Sequence, residues 1–262
     1  MSAWHAFRAA TLVVALLLPG VGTAGPELCL PHPYTAPPGA SAARIARTVE
    51  AITPILVEFA SMRDAVDEEK PEICLSDALR DAHGYLDPAA NRIVLGATLG
   101  AEMRSAVLLH EIRHLSQIRR RACPGATASM RANAIGVMAM EADASAITAL
   151  AAWYLKERGD PGVWNALSVW PTQADITVAF AAEMQRSAQI SRAVEAAFAQ
   201  WYASDQRRDL YYVAACADYL DEKDRTKARF QYEPLPEDFL QRLCRLPGGH
   251  GYACAPPAGP VR

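Results

Sequence analysis

The chain of 262 residues lacks an excess of positive charge, since 26 lysine and arginine residues face 29 aspartate and glutamate residues, for a formal net charge of −3. A surface with this balance has no general attraction to phosphate backbones or to anionic lipids. No internal repeat is evident either, and the only biased tract is a Pro/Gly-rich tail after Leu246. The composition therefore argues against nucleic acid and membrane-surface partners.

The N-terminal apolar run, residues 9–18, is too short to cross a bilayer, which takes roughly 20 residues. It follows Arg8 and precedes the small-residue sequence Gly22-Thr23-Ala24. This arrangement is typical of a secretory signal peptide, here residues 1–24, and an uncleaved anchor is the alternative. We therefore expect a periplasmic or secreted protein with no membrane span after signal removal.

None of the six cysteines forms a Cys-x-x-Cys pair, so a redox motif and a zinc ribbon are not indicated. The cysteines are Cys29, Cys74, Cys123, Cys216, Cys244 and Cys254. An even count in an exported chain favours three disulfides, and Cys244 and Cys254 are close enough in sequence to close a small loop. Free buried thiols are the alternative.

Hydrophobic periodicity predicts an α+β fold with a single small sheet. Short apolar runs separated by turn-forming residues predict an antiparallel sheet that contains a hairpin. These runs are 73–75, 83–86 and 92–95. Helical spacing predicts a helix over about residues 42–67, with a break or kink at Pro54. Further helices are expected over residues 101–121, 130–158, 172–189, 192–203 and 210–227.

A His-Glu-x-x-His motif, from His110 through Glu111 to His114, lies within the predicted helix 101–121. Residues four apart share one face of a helix, so both imidazoles can bind one cation. Glu111 is rotated by about 100° from His110 and can act as a general base without binding the metal. The alternative is a solvated helix face with two ordinary histidines, but the apolar neighbours predict a buried helix.

A catalytic zinc needs a third protein ligand, and a third histidine six residues past the second is excluded because that position is Arg120. The first carboxylates after the motif helix are Glu141 and Asp143, on an alanine-rich helix. We predict that Glu141 is the third ligand, the alternative being an interhelical salt bridge. Asp143 is either an acceptor for a histidine ring N–H or an alternative ligand.

The order of a short sheet ending in Arg92-Ile93-Val94-Leu95, a helix with His110-Glu111-x-x-His114 and a helix with Glu141-x-x-Ala144 resembles the gluzincin group of zinc metallopeptidases. The chain is more closely similar to uncharacterised bacterial metallopeptidase-like domains with HExxH and a downstream E-x-D-A helix. The resemblance covers roughly residues 73–156. It implies a zincin-like fold in which strand 92–95 borders the cleft and pairs with an extended substrate.

Ser145 departs from this resemblance, because thermolysin-like gluzincins carry an aspartate at that position. Gluzincins often use a tyrosine or histidine on a later helix to stabilise the oxyanion. Order along the chain points to Tyr211 and Tyr212 for this role, although both could be core aromatics. Arg113, within the motif, is expected to face a carboxylate on the helix surface.

The resulting hypothesis is an exported zinc metallopeptidase that hydrolyses peptide bonds, with manganese or iron as alternative metals. Its parts would be a signal peptide (1–24), an extended lead-in (25–40), a zincin-like catalytic core (41–160), a helical C-terminal part (161–246) and a tail (247–262). Two rival interpretations are an inactive zincin-like periplasmic protein that binds a metal or a partner, and a disulfide-stapled helical interaction protein.

Overall fold

The computed structural model describes residues 28–35, 39–79 and 83–256. The expected signal peptide, residues 1–24, lies outside them, as do parts of the lead-in and the tail. Within the described ranges the elements follow this order: β1 Leu28–Leu30, α1 Ala40–Glu58, α2 Ala60–Glu69, β2 Glu72–Ser76, β3 Gly84–Asp87, β4 Arg92–Gly96, α3 Ala101–Arg119, α4 Met130–Glu157, α5 Gly162–Val169, α6 Ala174–Ser187, α7 Ile190–Trp201, α8 Asp205–Thr226 and α9 Phe239–Leu243.

The sheet is mixed and not antiparallel as the sequence predicted. Its strand order is β1-β2-β4-β3. The expected hairpin is present, since β3 and β4 pair antiparallel, but β2 pairs with β4 in parallel, and β1 pairs antiparallel with β2. Alternating burial marks a segment as a strand but does not specify its neighbour's direction, which explains the error.

The strand that the resemblance implied for substrate pairing is not an edge of the sheet. Strand β4 lies between β2 and β3, so both of its edges are already paired. Among the described strands, β1 and β3 are the edges of the sheet. Strand 92–95 therefore cannot pair with an extended substrate, whereas β3, next to it, can.

The first helical segment breaks at Phe59 and not at Pro54. Pro54 lies within α1, and Phe59 has φ −96° and ψ 79°, outside the helical region. The next helix, α2, ends at Lys70, whose positive φ of 48° turns the chain into β2. Helices α1 and α2 both pack on α3 through buried residues such as Ile52 and Met62.

The core is built around α3 and α4, which pack against each other. Helix α4 contacts α7 and α8 on its other sides, so most of its side chains are buried. By length and composition α4 is able to cross a membrane, but 89% of its most apolar 18-residue stretch is buried inside the molecule. Its alanine-rich sequence lets neighbouring helices approach closely, which suits the centre of a helical core.

Two disulfides are formed within the described residues, not the three expected. Cys29 in β1 bonds Cys74, its direct cross-strand partner in β2. Cys244 bonds Cys254, which confirms the predicted small loop. Cys123 and Cys216 are free thiols. The prediction of disulfides therefore holds for four cysteines, and the alternative of free thiols holds for the other two.

Candidate metal centre

The His-Glu-x-x-His motif lies in the second half of α3, where the helix is buried. The Nε2 atoms of His110 and His114 are 3.0 Å apart, because residues one turn apart direct their rings to the same side. The side chain of His114 is 1% exposed, whereas that of His110 is 13% exposed. The pair is therefore reached from solvent on the His110 side.

Glu141 of α4 completes the cluster from the opposite helix. Its Oε2 lies 3.3 Å from His110 Nε2, and its Oε1 lies 3.2 Å from His114 Nε2. Ligand atoms held 2.0–2.1 Å from a tetrahedral zinc ion are about 3.3 Å from one another. The three side chains are thus spaced as such a site requires, and all can offer ligand atoms within 4.8 Å of one another.

The electrostatics of the cluster couple Glu141 to His114. Burial alone would lower the pKa of His114, but the charge and hydrogen bond of Glu141 outweigh it and raise that pKa to about 9. Burial alone would raise the pKa of Glu141, but the charge of His114 and hydrogen bonds from both histidines hold it down at about 2. Glu141 is therefore a carboxylate, the form in which it can bind a cation.

Gln117 sets the tautomer of His114. The Gln117 amide nitrogen donates to Met140 O at 2.9 Å and to Asp143 Oδ2 at 2.6 Å, so its oxygen faces the ring. That oxygen lies 2.8 Å from His114 Nδ1, which must carry a proton to donate to it. The other ring nitrogen, Nε2, faces Glu141 and His110, and it is the atom that can bind a cation once its own proton is released.

Glu111 is buried beside the cluster, with an exposed fraction of 1%. Its negative charge contributes to the raised pKa of His114 and also to that of Tyr211. A charge that acts on both groups is close to His114 and to Tyr211 of α8.

The structure separates the two candidate tyrosines. Tyr211 on α8 hydrogen-bonds Glu141, and its pKa is raised well above the usual value by burial and by the charges of Glu141 and Glu111. Tyr212 instead hydrogen-bonds Cys216 on its own helix. Adjacent residues on a helix point about 100° apart, so only one of the two can face the cluster.

Asp143 contacts neither histidine and is not directed at the cluster. Its carboxylate receives Arg113 Nε at 2.7 Å and Arg113 Nη2 at 2.8 Å. The expectation that Arg113 faces a carboxylate is met, but the pair is completely buried and not on the helix surface. Ser145, at the divergent position, accepts from Gln173 Nε2 at 3.3 Å.

The sequence interpretation missed two residues, Gln117 and Tyr252. Gln117 lies three residues after His114, a spacing that places the two side chains on one face, and this signal could have identified it. Tyr252 donates to Asp143 Oδ1 at 2.6 Å from 109 residues away in the chain. Its position depends on the path of the C-terminal loop, so no local pattern could have revealed it.

The model of a family described as a putative metallopeptidase family (DUF6782) matches residues 21–254. The match includes every described element, from β1 to the C-terminal disulfide. No curated protein and no solved structure matches the chain significantly.

Proposed function

Because the chain belongs to this metallopeptidase family, we propose that it is an exported, zinc-dependent peptidase with His110, His114 and Glu141 as metal ligands. One observation carries the proposal: two imidazole nitrogens and a buried carboxylate converge at 3.0–3.3 Å beside a second buried glutamate. Zinc, as the usual metal for two histidines and a carboxylate, would polarise a substrate carbonyl and lower the pKa of a water.

Glu111 is the general base of the proposed reaction. Its carboxylate accepts a proton from the attacking water and then delivers it to the nitrogen of the departing amine. Burial of Glu111 keeps bulk water from competing for this proton. His110 and His114 precede and follow Glu111 on α3, so they would hold the metal within one turn of helix of its carboxylate.

Tyr211 supplies a second electrophile in this proposal. Its raised pKa keeps the phenol protonated at neutral pH, so the hydroxyl can donate a hydrogen bond to the carbonyl oxygen as negative charge develops there. Glu141, its present acceptor, is itself at the cluster, so the hydroxyl is already close to the reacting atoms. Tyr212 has no part in this step.

We assign substrate pairing to β3 in place of strand 92–95. Gly84, its first residue, packs so closely on α3 that a Cβ atom there would meet Val107 Cγ1 at 2.5 Å. Val107 precedes His110 by about one turn, so β3 crosses α3 one turn before the motif. An extended peptide added to the outer edge of β3 would lie along the site.

Two disulfides support the proposal of export. Cys29–Cys74 and Cys244–Cys254 would persist in an oxidising compartment such as the periplasm, and the expected signal peptide would direct the chain there. The substrates would then be peptides or proteins outside the cytoplasm.

Zinc content and peptide hydrolysis, measured on the same purified samples, test this function. We expect about one zinc per chain in the wild type, loss of zinc in His114→Ala and Glu141→Ala, and retention of zinc in Glu111→Gln. Glu111→Gln should lower kcat on an unstructured protein substrate by about 10²–10⁴-fold, because the base is removed while the ligands remain.

The matched controls are Glu102→Gln, at the exposed start of the same helix, and His250→Ala, at an exposed C-terminal position. Both should keep wild-type zinc content and activity. Zinc binding without hydrolysis of any peptide would favour a zincin-like binding protein without turnover, and a folded wild type that binds no metal would overturn the proposal.

A further inference from the structure

Asp143 is a completely buried carboxylate that receives four hydrogen bonds. Its Oδ2 accepts from Arg113 Nε at 2.7 Å and Gln117 Nε2 at 2.6 Å. Its Oδ1 accepts from Arg113 Nη2 at 2.8 Å and from the Tyr252 hydroxyl at 2.6 Å. Such a complete set of donors fixes the carboxylate in position and compensates for its burial.

One of these contacts leads directly to the metal centre. Gln117 joins Asp143 to His114, because its amide nitrogen donates to the carboxylate and its oxygen accepts the Nδ1 proton of the ring. A rotation of the Gln117 amide would face its oxygen towards Asp143, which cannot donate to it. The charge of Asp143 therefore holds the orientation of Gln117, and Gln117 holds the orientation of the ring.

The other contacts lead to the C-terminal loop closed by the Cys244–Cys254 disulfide. Arg113 Nη2 also donates to Arg245 O at 2.8 Å and to Leu243 O at 3.3 Å, at the start of the loop. Tyr252 lies inside the loop, two residues before its second cysteine. The loop thus contacts the carboxylate directly through Tyr252 and indirectly through Arg113.

We propose that Asp143 is a positioning residue for the metal ligand His114 and that the Cys244–Cys254 loop holds it in place. The inference rests on the proposed metal site and adds to it a part of the chain more than 100 residues away. It also offers a substitute for the aspartate that thermolysin-like gluzincins carry at the position of Ser145, since a carboxylate, Asp143, here supports the ligand through Gln117.

Zinc affinity, measured by competition with a chromophoric chelator, tests this role without requiring activity. We expect Gln117→Leu and Asp143→Asn to bind zinc about 10–100-fold more weakly than the wild type, the usual effect of removing a partner of a ligand. Tyr252→Phe and the double variant Cys244→Ser/Cys254→Ser should weaken binding in the same direction by a smaller factor.

Two matched controls separate positioning from general stability. Tyr202→Phe removes another buried tyrosine hydroxyl, one that has no hydrogen-bond partner among the residues the structure describes, and Cys29→Ser/Cys74→Ser removes the disulfide in the sheet. Both should keep wild-type zinc affinity, even where the thermal midpoint falls. Because Asp143→Asn leaves Arg113 without its ion partner and could unfold the chain, Tyr252→Phe provides the conservative variant.

A second readout reports on His114 itself. In the wild type the Nδ1 proton of His114, donated to Gln117, should exchange slowly with solvent in NMR spectra, and Gln117→Leu should accelerate that exchange. Wild-type zinc affinity in folded Gln117→Leu and Tyr252→Phe would overturn the inference while leaving the proposed function intact. A wild type that binds zinc without hydrolysing peptides would contradict the proposed peptidase activity but not the positioning role of Asp143.

Discussion

At the scale of the residue, the chemistry of the site depends on which neighbour each polar atom meets. Tyr211 and Tyr212 have the same side chain and adjacent positions, yet one hydrogen-bonds Glu141 and the other Cys216. The same distinction separates Glu141, which meets two histidines, from Asp143, which meets Arg113 and Gln117. Residue type alone therefore does not assign a role.

Tyr211→Phe tests this distinction by removing only the hydroxyl. We expect kcat for peptide hydrolysis to fall by about 10²–10³-fold, because a donor to the developing oxyanion is lost, with little change in zinc content. Steady-state kinetics and metal analysis are the measurements. Tyr212→Phe, which removes the neighbouring hydroxyl outside the site, is the control and should keep wild-type kcat. Equal effects of the two substitutions would contradict the assignment.

At the scale of the element, the close approach of β3 to α3 brings the sheet edge to within one helical turn of the motif. This approach depends on the absence of a side chain at Gly84, where a Cβ atom would meet Val107 Cγ1 at 2.5 Å and the carbonyl oxygen of Val94 at 2.8 Å. The second contact is with backbone, so it cannot be relieved by a rotamer change. Val94 belongs to β4, so β3 must shift relative to β4, as well as to α3, if a methyl group is added.

Gly84→Ala should therefore destabilise the protein by about 1–3 kcal/mol through overpacking, as measured by urea denaturation. The control is Gly100→Ala, at the N-cap of α3, where the nearest atom to an added Cβ lies 3.9 Å away. We expect that variant to stay within about 0.5 kcal/mol of the wild type. A Gly84→Ala variant as stable as the control would mean that β3 can shift away from both α3 and β4 without cost.

At the scale of the whole molecule, one buried arginine joins the helices that surround the core. Arg207 of α8 donates to Trp201 O at 2.7 Å, at the end of α7, and to Thr172 O at 2.7 Å, just before α6. It also pairs with Asp175 of α6 at 2.8 Å. Burial alone would raise the pKa of Asp175, but hydrogen bonds from Arg207 and Gln200 outweigh it and the pKa is lowered.

A lowered pKa in the folded state makes Asp175 a source of stability above pH 4, the range in which the unfolded carboxyl is ionised. That contribution is lost as the pH falls through the folded-state pKa. Asp175→Asn should lower the free energy of unfolding by roughly 1–2 kcal/mol at pH 7, a figure already reduced for screening of a side chain that is 37% exposed.

The difference between Asp175→Asn and the wild type should shrink below about pH 4, as measured by denaturant titrations across pH. Asp64→Asn, in the exposed Arg63–Asp64 pair, is the control and should match the wild type at every pH. A difference for Asp175→Asn that stays constant down to pH 2 would show that the ion pair is not its cause.

Much of the helical part of the fold could be predicted from the sequence because helical periodicity is a local property. The predictions for residues 101–121 and 130–158 agree with α3 and α4 to within two residues at each end. The short helices α5 and α9 were missed, since eight and five residues show too few turns of a repeating pattern. The break near Phe59 was placed five residues too early because Pro54 can be accommodated in α1.

By itself, the sequence determined that His110 and His114 share a helix face, with Glu111 between them and two carboxylates on the next helix. It also determined the hairpin of β3 and β4 and the loop closed by Cys244 and Cys254, because in each case the partners are near neighbours in the chain. Only the tertiary structure decided that β2 and β4 run parallel, that Cys29 bonds Cys74, and that Tyr211 faces Glu141 while Tyr252 reaches Asp143. Those contacts join residues 20 to 109 positions apart, and their formation depends on how whole elements pack, which local spacing does not encode.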